Sequence, residues 1–296
     1  MNNAKGGTQL KIIESSQAKI NLSLAIRGRF DDGYHDLNMI MQTISLADIL
    51  EIKKCSEGIF LNLGSDINLP DNQDNIIWEA ANKLIENFPD KIEGLEIKLK
   101  KNIPIAAGLA GGSSNAAAVI RGVNRLFQLN LNWSEMRKIG AEIGSDVPFC
   151  VKGGTAQVKG KGDQIRDLKP LKNYKAVLIN PGFKVSTAKI FDEFAYGNYN
   201  KLNIPTAKLV ELIELDRKID WKEGWANQLE PVTFNLYPEL KEIKKWLLDN
   251  GAVHSQLSGS GPTMIGFLRK KEDAEKIARL WTGKGKSFAV DFTKGY

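Results

Sequence analysis

The chain has 296 residues, 42% of them hydrophobic and 26% charged, with a formal net charge of +6. Its length suits two domains of roughly 150 residues or one large α/β unit, and its charge would suit nucleic acid, an acidic surface or a phosphorylated small molecule. The basic residues are scattered rather than gathered into a block, which argues against a dedicated nucleic-acid binder.

Met1 to Gln9 is polar and glycine-containing, and reads as a loose tail. Ala18, Ile20, Leu22, Leu24 and Ile26 then alternate with Lys19, Asn21, Ser23 and Arg27, the period of a half-buried strand, so Lys19 and Asn21 share a face. Asp31-Asp32-Gly33 marks a turn, and Tyr34-His35 opens the next segment. Leu95 to Lys100 alternates again and predicts a strand. Ala117, Ile120, Asn124 and Phe127 fall at helical spacing, and a further helix is expected over Trp133 to Ile143.

Gly144-Ser145-Asp146-Val147-Pro148-Phe149 interrupts that pattern, and Gly153-Gly154 and Gly160 to Asp163 punctuate short strand-like stretches. A domain boundary is placed at residue 160, giving domains 1–160 and 161–296. In the second half, Ala176 to Ile179 reads as a strand, and Pro238 to Asn250 as a helix that Gly251 can end. Leu257 to Thr263 is a glycine-rich turn before the apolar run Met264 to Phe267.

Two cysteines, Cys55 and Cys150, stand far apart without metal-ligand spacing, and no secretory apolar region follows Met1. A reduced, cytoplasmic setting is expected. The stretch Asn102 to Ile120 is uncharged, but its Asn, Pro, Gly and Ser content argues against a membrane span.

The most informative segment is Pro104-Ile105-Ala106-Ala107-Gly108-Leu109-Ala110-Gly111-Gly112-Ser113-Ser114. A flexible loop leads from a strand into a helix, which offers backbone N–H groups to a phosphate. It lacks the Gly-Lys-Ser/Thr ending of a P-loop, so a nucleotide site here must be built differently.

Three motifs stand in order: the Lys-bearing first strand, the loop Gly108 to Ser114, and the turn Ser258 to Pro262. This order resembles the GHMP kinase superfamily, which phosphorylates small alcohols through a glycine-serine loop. Five further blocks narrow the resemblance: Ala18 to Leu22, Asp32 to His35, Asp74 to Ile77, Pro104 to Ala117, and Gly144 to Phe149. They are similar to the branch that acts on 4-diphosphocytidyl-2-C-methyl-D-erythritol.

The resemblance implies a two-domain α/β (α+β) fold with a catalytic cleft between the domains. It implies ATP as donor, the 2-hydroxyl of that cytidine substrate as acceptor, and a place in the methylerythritol phosphate route to isoprenoid precursors. The alternative is a GHMP kinase for another alcohol, such as mevalonate or homoserine. A monomer or homodimer is expected, with no nucleic-acid or membrane partner.

By the same resemblance Lys19 and Asp146 are the catalytic pair. Chemistry agrees: a carboxylate can take or orient the hydroxyl proton, and a neighbouring ammonium favours the ionised form. On position alone, Asp146 reads equally as a helix cap and Lys19 as a solvated charge. Tyr34 and His35 match the cytidine site, since a ring can stack on a pyrimidine and an imidazole can exchange hydrogen bonds with its edge. Asn21, Thr187 and Phe191 match further substrate contacts, although Phe191 alone reads as core.

Pro104 to Ser114 would wrap the triphosphate, with Asn75 and Lys101 near the adenine. Without the family context Asn75 reads as a helix-start residue and Lys101 as a solvated lysine. Magnesium is expected with ATP, yet no carboxylate cluster in the sequence announces a protein metal site. Ser114 is its one candidate ligand.

Overall fold

A computed structural model describes residues 11–64, 68–171, 174–197, 204–217, 225–268 and 271–296. The tail expected at Met1 to Gln9 lies outside them.

The first half builds one mixed sheet. Its strands are β1 (Lys11–Arg29), β2 (His35–Lys54), β3 (Gly58–Asn62), β4 (Gly94–Lys100), β5 (Thr155–Gly160) and β6 (Gln164–Asp167). The order is β3-β4-β2-β5-β6, with β1 also on β2; β3 and β4 run parallel and the other pairs antiparallel. Interleaved with them are α1 (Ile76–Asn87), α2 (Gly111–Leu126), α3 (Trp133–Ala141) and α4 (Val147–Lys152). The expected division at residue 160 falls inside the β5–β6 hairpin, so this sheet runs on to Asp167.

The second half carries an antiparallel sheet of β7 (Lys175–Asn180), β8 (His254–Leu257), β9 (Met264–Leu268) and β10 (Lys286–Asp291), in the order β10-β7-β9-β8. Its helices are α5 (Thr187–Tyr196), α6 (Thr206–Glu214), α7 (Glu230–Leu236), α8 (Glu239–Asp249) and α9 (Lys271–Leu280).

β1 departs from the half-buried strand its alternation suggests, because both of its faces are covered from Ala18 to Ala25. One face supplies Ala18, Ile20 and Leu22 to an apolar core, while the other buries Lys19 and Asn21. Such burial of polar side chains requires partners, and those partners form the site below.

α2 is buried along nearly its whole length. Ala116, Ala117, Ala118, Val119 and Ile120 are all fully enclosed, and the helix packs on β1, β2, α1 and α4. Its polar members Ser114, Asn115 and Arg121 are buried as well and hydrogen-bonded, so its N-terminus is held rigidly where the glycine-rich loop delivers it.

The halves are stitched along the outer edge of β1. Leu24 N–H donates to the Ala226 carbonyl (2.9 Å) and Gln228 N–H to the Leu24 carbonyl (3.0 Å). Chain-terminal residues return to the first sheet, where Thr293 N–H donates to the Thr43 carbonyl at 3.0 Å.

Candidate active site

A cavity of about 1030 Å³ opens where β1, the loop before α2, the start of α4 and the turn between β8 and β9 meet. It is at the upper end of the range for small-molecule sites. Lys19, Asn21, Tyr34, His35, Asn75, Lys101, Asp146, Thr187 and Phe191 all line it.

Lys19 is 5% exposed, and its Nζ lies 2.9 Å from Asn21 Oδ1 and 3.6 Å from Asp146 Oδ2. Two-residue spacing on a strand puts Lys19 and Asn21 on one face, as their alternation suggests. Asp146 occupies the cap position of α4 in helical backbone geometry, yet its side chain makes no capping hydrogen bond. The cap alternative therefore gives no account of this carboxylate, whose ion-pair partner is Lys19.

The loop is docked from both sides. Lys19 N–H donates to the Leu109 carbonyl (3.1 Å), and Ser258 Oγ donates to the Gly108 carbonyl (2.9 Å). Gly108 has φ +74°, and a Cβ there would stand 2.4 Å from the Ser258 carbonyl oxygen, so the close approach requires glycine. Ala106 and Ala110 both sit at φ +53° without being glycine. Ala110 ends the loop as the cap residue of α2 without a side-chain cap, and the first amides of a helix have no intrahelical acceptor. Those of Gly111, Gly112 and Ser113 thus stand at the cavity with the positive end of the helix dipole behind them.

Nine of the eleven loop residues line the cavity; Leu109 and Ser114 turn inward. Ser114 Oγ donates to the Gln17 carbonyl (2.7 Å) and lies 2.6 Å from Ser16 Oγ, so its hydroxyl faces β1. Among the described residues no group of three or more His, Cys, Asp or Glu side chains is placed to hold a metal.

Asn75 caps α1: its Oδ1 accepts from Ile77 N–H (2.9 Å) and its Nδ2 donates to the Pro70 carbonyl (2.6 Å). Lys101 Nζ pairs with Asp48 Oδ2 at 2.5 Å. Burial draws this lysine below its ordinary pKa, against the opposing pull of Asp48. Asp48 is itself fully buried and accepts from Asn102 and Ile103 N–H, which fixes the entry to the loop. Both Asn75 and Lys101 are thus structural parts of the wall as well as cavity-lining groups.

At the other end of the cavity the His35 and Phe191 rings lie 4.8 Å apart at 30°. Phe191 is therefore more than a core residue. Burial, and secondarily Arg29, lowers the His35 pKa below its ordinary value, so the imidazole is neutral at pH 7. Tyr34 is 58% exposed, with the Lys161 ammonium 5.2 Å from its ring centre. Thr187 Oγ1 lies 2.8 Å from Ser260 Oγ, tying α5 to the late turn.

Arg29, Lys161 and Asp192, which sequence reasoning did not place in a site, join this end of the cavity, as does Asp32 of the Asp32 to His35 block. Lys161 pairs with Asp32 and belongs to the β5–β6 turn. Only tertiary topology brings that turn to Tyr34; its sequence signal is no more than a lysine between two glycines. Asn227 was also missed. Its Nδ2 donates to the Leu257 and Gly259 carbonyls (2.9 and 2.7 Å), fixing the turn Ser258 to Gly261 beside Lys19.

Comparison with known proteins gives a consistent picture. Residues 75–154 match the model of the GHMP kinases N terminal domain, and residues 211–287 that of the GHMP kinases C terminal. The chain is 39% identical over 277 residues to 4-diphosphocytidyl-2-C-methyl-D-erythritol kinase of Bacillus pumilus (strain SAFR-032), covering 93% of each chain. To the enzyme of the same name from Clostridioides difficile (strain 630) it is 41% identical over 261 residues, covering 88% of this chain and 87% of that one.

A crystal structure of 4-(cytidine 5'-diphospho)-2C-methyl-D-erythritol kinase superposes with a TM-score of 0.80 at 28% identity, covering 96% of this chain and 100% of that one. Homoserine kinase from Cytophaga hutchinsonii superposes at 0.73 with 18% identity, covering 100% and 98%, a likeness of fold alone.

Proposed function

Since the chain belongs to the 4-diphosphocytidyl-2-C-methyl-D-erythritol kinase family of the GHMP kinases, we propose that it transfers the γ-phosphoryl group of ATP to the 2-hydroxyl of 4-diphosphocytidyl-2-C-methyl-D-erythritol. The products are the 2-phosphate and ADP, within the methylerythritol phosphate route to isoprenoid precursors. The observation that carries the reading of the site is the buried Lys19 ammonium, 3.6 Å from an Asp146 carboxylate that caps nothing, beside the open amides of α2.

Phosphoryl transfer asks the protein chiefly to position two reactants and to stabilise charge. In the proposed mechanism the loop from Pro104 to Ser113 cradles the triphosphate, with the α2 amides on its oxygens. Ser114, turned toward β1, supports the loop from behind. Asn75 and Lys101 shape the wall for the adenine.

Asp146 orients the acceptor hydroxyl and receives its proton as the oxygen attacks phosphorus. Lys19 pairs with Asp146 and offers its positive charge to the oxygens in transit. Asn21 fixes Lys19 and faces the acceptor. His35, neutral, exchanges hydrogen bonds with the cytosine edge, while Tyr34 and Phe191 supply ring faces, and Thr187 closes that end against Ser260.

Magnesium, expected with ATP, would supply neutralisation of the phosphate charge. The described residues offer no three-carboxylate cage for it and the Ser114 hydroxyl is engaged elsewhere, so the ion would be held mainly by ATP itself, with Asp146 as the carboxylate available to it. No helix among the described residues is long and apolar enough to cross a membrane. We place the reaction in the cytoplasm, where ATP circulates.

Tyr34 and His35 at the cavity favour the cytidine substrate over mevalonate or homoserine, neither of which presents a base to stack. The reading is tested by ADP release with each alcohol in turn. Turnover of the cytidine substrate alone is expected, and turnover of mevalonate without it would overturn the assignment.

A further inference from the structure

β1 carries an irregularity inside the site. Asn21 pairs with Met41 but Ser23 with Ile40, so Leu22 is the extra residue of a β-bulge. A bulge disrupts the ladder locally, and this one lies three residues from Lys19, in a segment closed to water.

The carbonyls of Asn21 and Leu22 find their partner in the other half of the molecule. Gln256, on β8 and 1% exposed, donates through Nε2 to the Asn21 carbonyl (2.9 Å) and to the Leu22 carbonyl (3.1 Å). Its Oε1 lies 3.1 Å from His254 Nε2, which packs against the remaining side of the amide.

Both donors of this amide are thereby committed to β1, and its oxygen faces the His254 ring. Beyond the bulge, backbone bonds to Ala226 and Gln228 hold β1, and before it the Lys19–Leu109 bond does. Gln256 bridges the interval, in which Asn21 Oδ1 accepts from Lys19 Nζ.

We propose that Gln256 is a positioning residue for phosphoryl transfer: its amide, anchored by His254, holds the β1 bulge so that Asn21 keeps the Lys19 ammonium against Asp146. The inference rests on the catalytic reading of Lys19 given above. It makes the second sheet an active determinant of transition-state geometry through a side chain that touches no substrate.

The test compares Gln256→Met, of similar shape but without donors, with the parent enzyme in steady-state kinetics. A misplacement of about 1 Å can cost on the order of 100-fold in rate. The expected result is kcat lower by about ten- to hundredfold with KM for ATP within about twofold, because the α2 amides and the loop are untouched.

In a Lys19→Met background, adding Gln256→Met should change the residual kcat by less than about twofold, since the group being positioned is already gone. Parent-like kcat in Gln256→Met, a parallel loss of ATP affinity, or a full multiplicative loss in the Lys19→Met background would each overturn the proposal. If the methionine variant does not fold, Gln256→Glu, isosteric and lacking the amide donors, is read by the same criteria. Near-parent turnover of Lys19→Met by itself would overturn the catalytic reading of Lys19 and this inference with it. An inactive Lys19→Met beside a fully active Gln256→Met would overturn the inference alone.

Discussion

The two ends of the cavity are built by different means. At the end proposed for phosphoryl transfer, Lys19 and Asn21 are almost fully buried, and their backbone is bonded to the loop, to β2 and to the second half of the chain. At the end proposed for base recognition, Tyr34 is 58% exposed and the contacts are ring against ring, such as His35 on Phe191. Charge stabilisation needs groups that do not move when the transition state forms. Recognition of a flat base needs faces and edges, which aromatic side chains supply even when partly solvated. Substitutions at the first end should therefore act on kcat, and those at the second on the KM of the alcohol substrate.

The largest effect is expected from Asp146→Asn. General acid–base groups contribute roughly 10²- to 10⁴-fold, so kcat should fall by about that factor. Its thermal unfolding midpoint should stay near that of the parent, because Asp146 makes no capping bond to lose. A kcat within about threefold of the parent would remove Asp146 from the chemistry.

Gly108→Ala comes next. The added Cβ would meet the Ser258 carbonyl oxygen at 2.4 Å and the Gly261 carbonyl oxygen at 2.8 Å, at a φ that disfavours alanine. The loop must shift, and KM for ATP is expected to rise by about tenfold, with a stability loss of about 1–3 kcal/mol by chemical denaturation. Unchanged ATP affinity would show that the loop is not the phosphate cradle.

His35→Ala should raise the KM of the cytidine substrate by roughly fivefold or more, the loss of one ring contact and about one hydrogen bond. Its kcat should change little, and a kcat effect without a KM effect would break the contrast between the two ends. The smallest effect is a pH dependence. The His35 pKa is lowered in the fold, so its neutral form persists from alkaline pH down through pH 7 and is lost only on further acidification. KM for the cytidine substrate should be flat above pH 7 and rise below the ordinary histidine value of about 6.5. That rise should be absent in His35→Ala.

Much of this was legible in the chain. The alternation around Lys19, the strand at Leu95 to Lys100 and the helix after the loop all stand where residue periodicity puts them, since side-chain period follows directly from backbone geometry. The loop leading into α2 could be read because glycine and a helix start are local signals.

Tertiary features were not legible. The burial of Lys19 depends on β1 being covered by residues more than 200 positions away, and nothing local marks it. The β1 bulge that Gln256 satisfies, the buried Asp48 behind Lys101, and the approach of Lys161 to Tyr34 all arise from topology. α4 begins at Val147, where the sequence showed an interruption and offered Asp146 as a helix cap without fixing a helix, because a short segment with proline in its first turn resembles a loop.

Phosphorus NMR of the products formed from ATP and 4-diphosphocytidyl-2-C-methyl-D-erythritol tests the proposed reaction most directly. Transfer to the 2-hydroxyl should produce ADP and a new phosphomonoester resonance on the acceptor, with the acceptor's own diphosphate resonances retained. ATP consumption that leaves the acceptor without a new phosphomonoester, or that breaks its diphosphate, would contradict it.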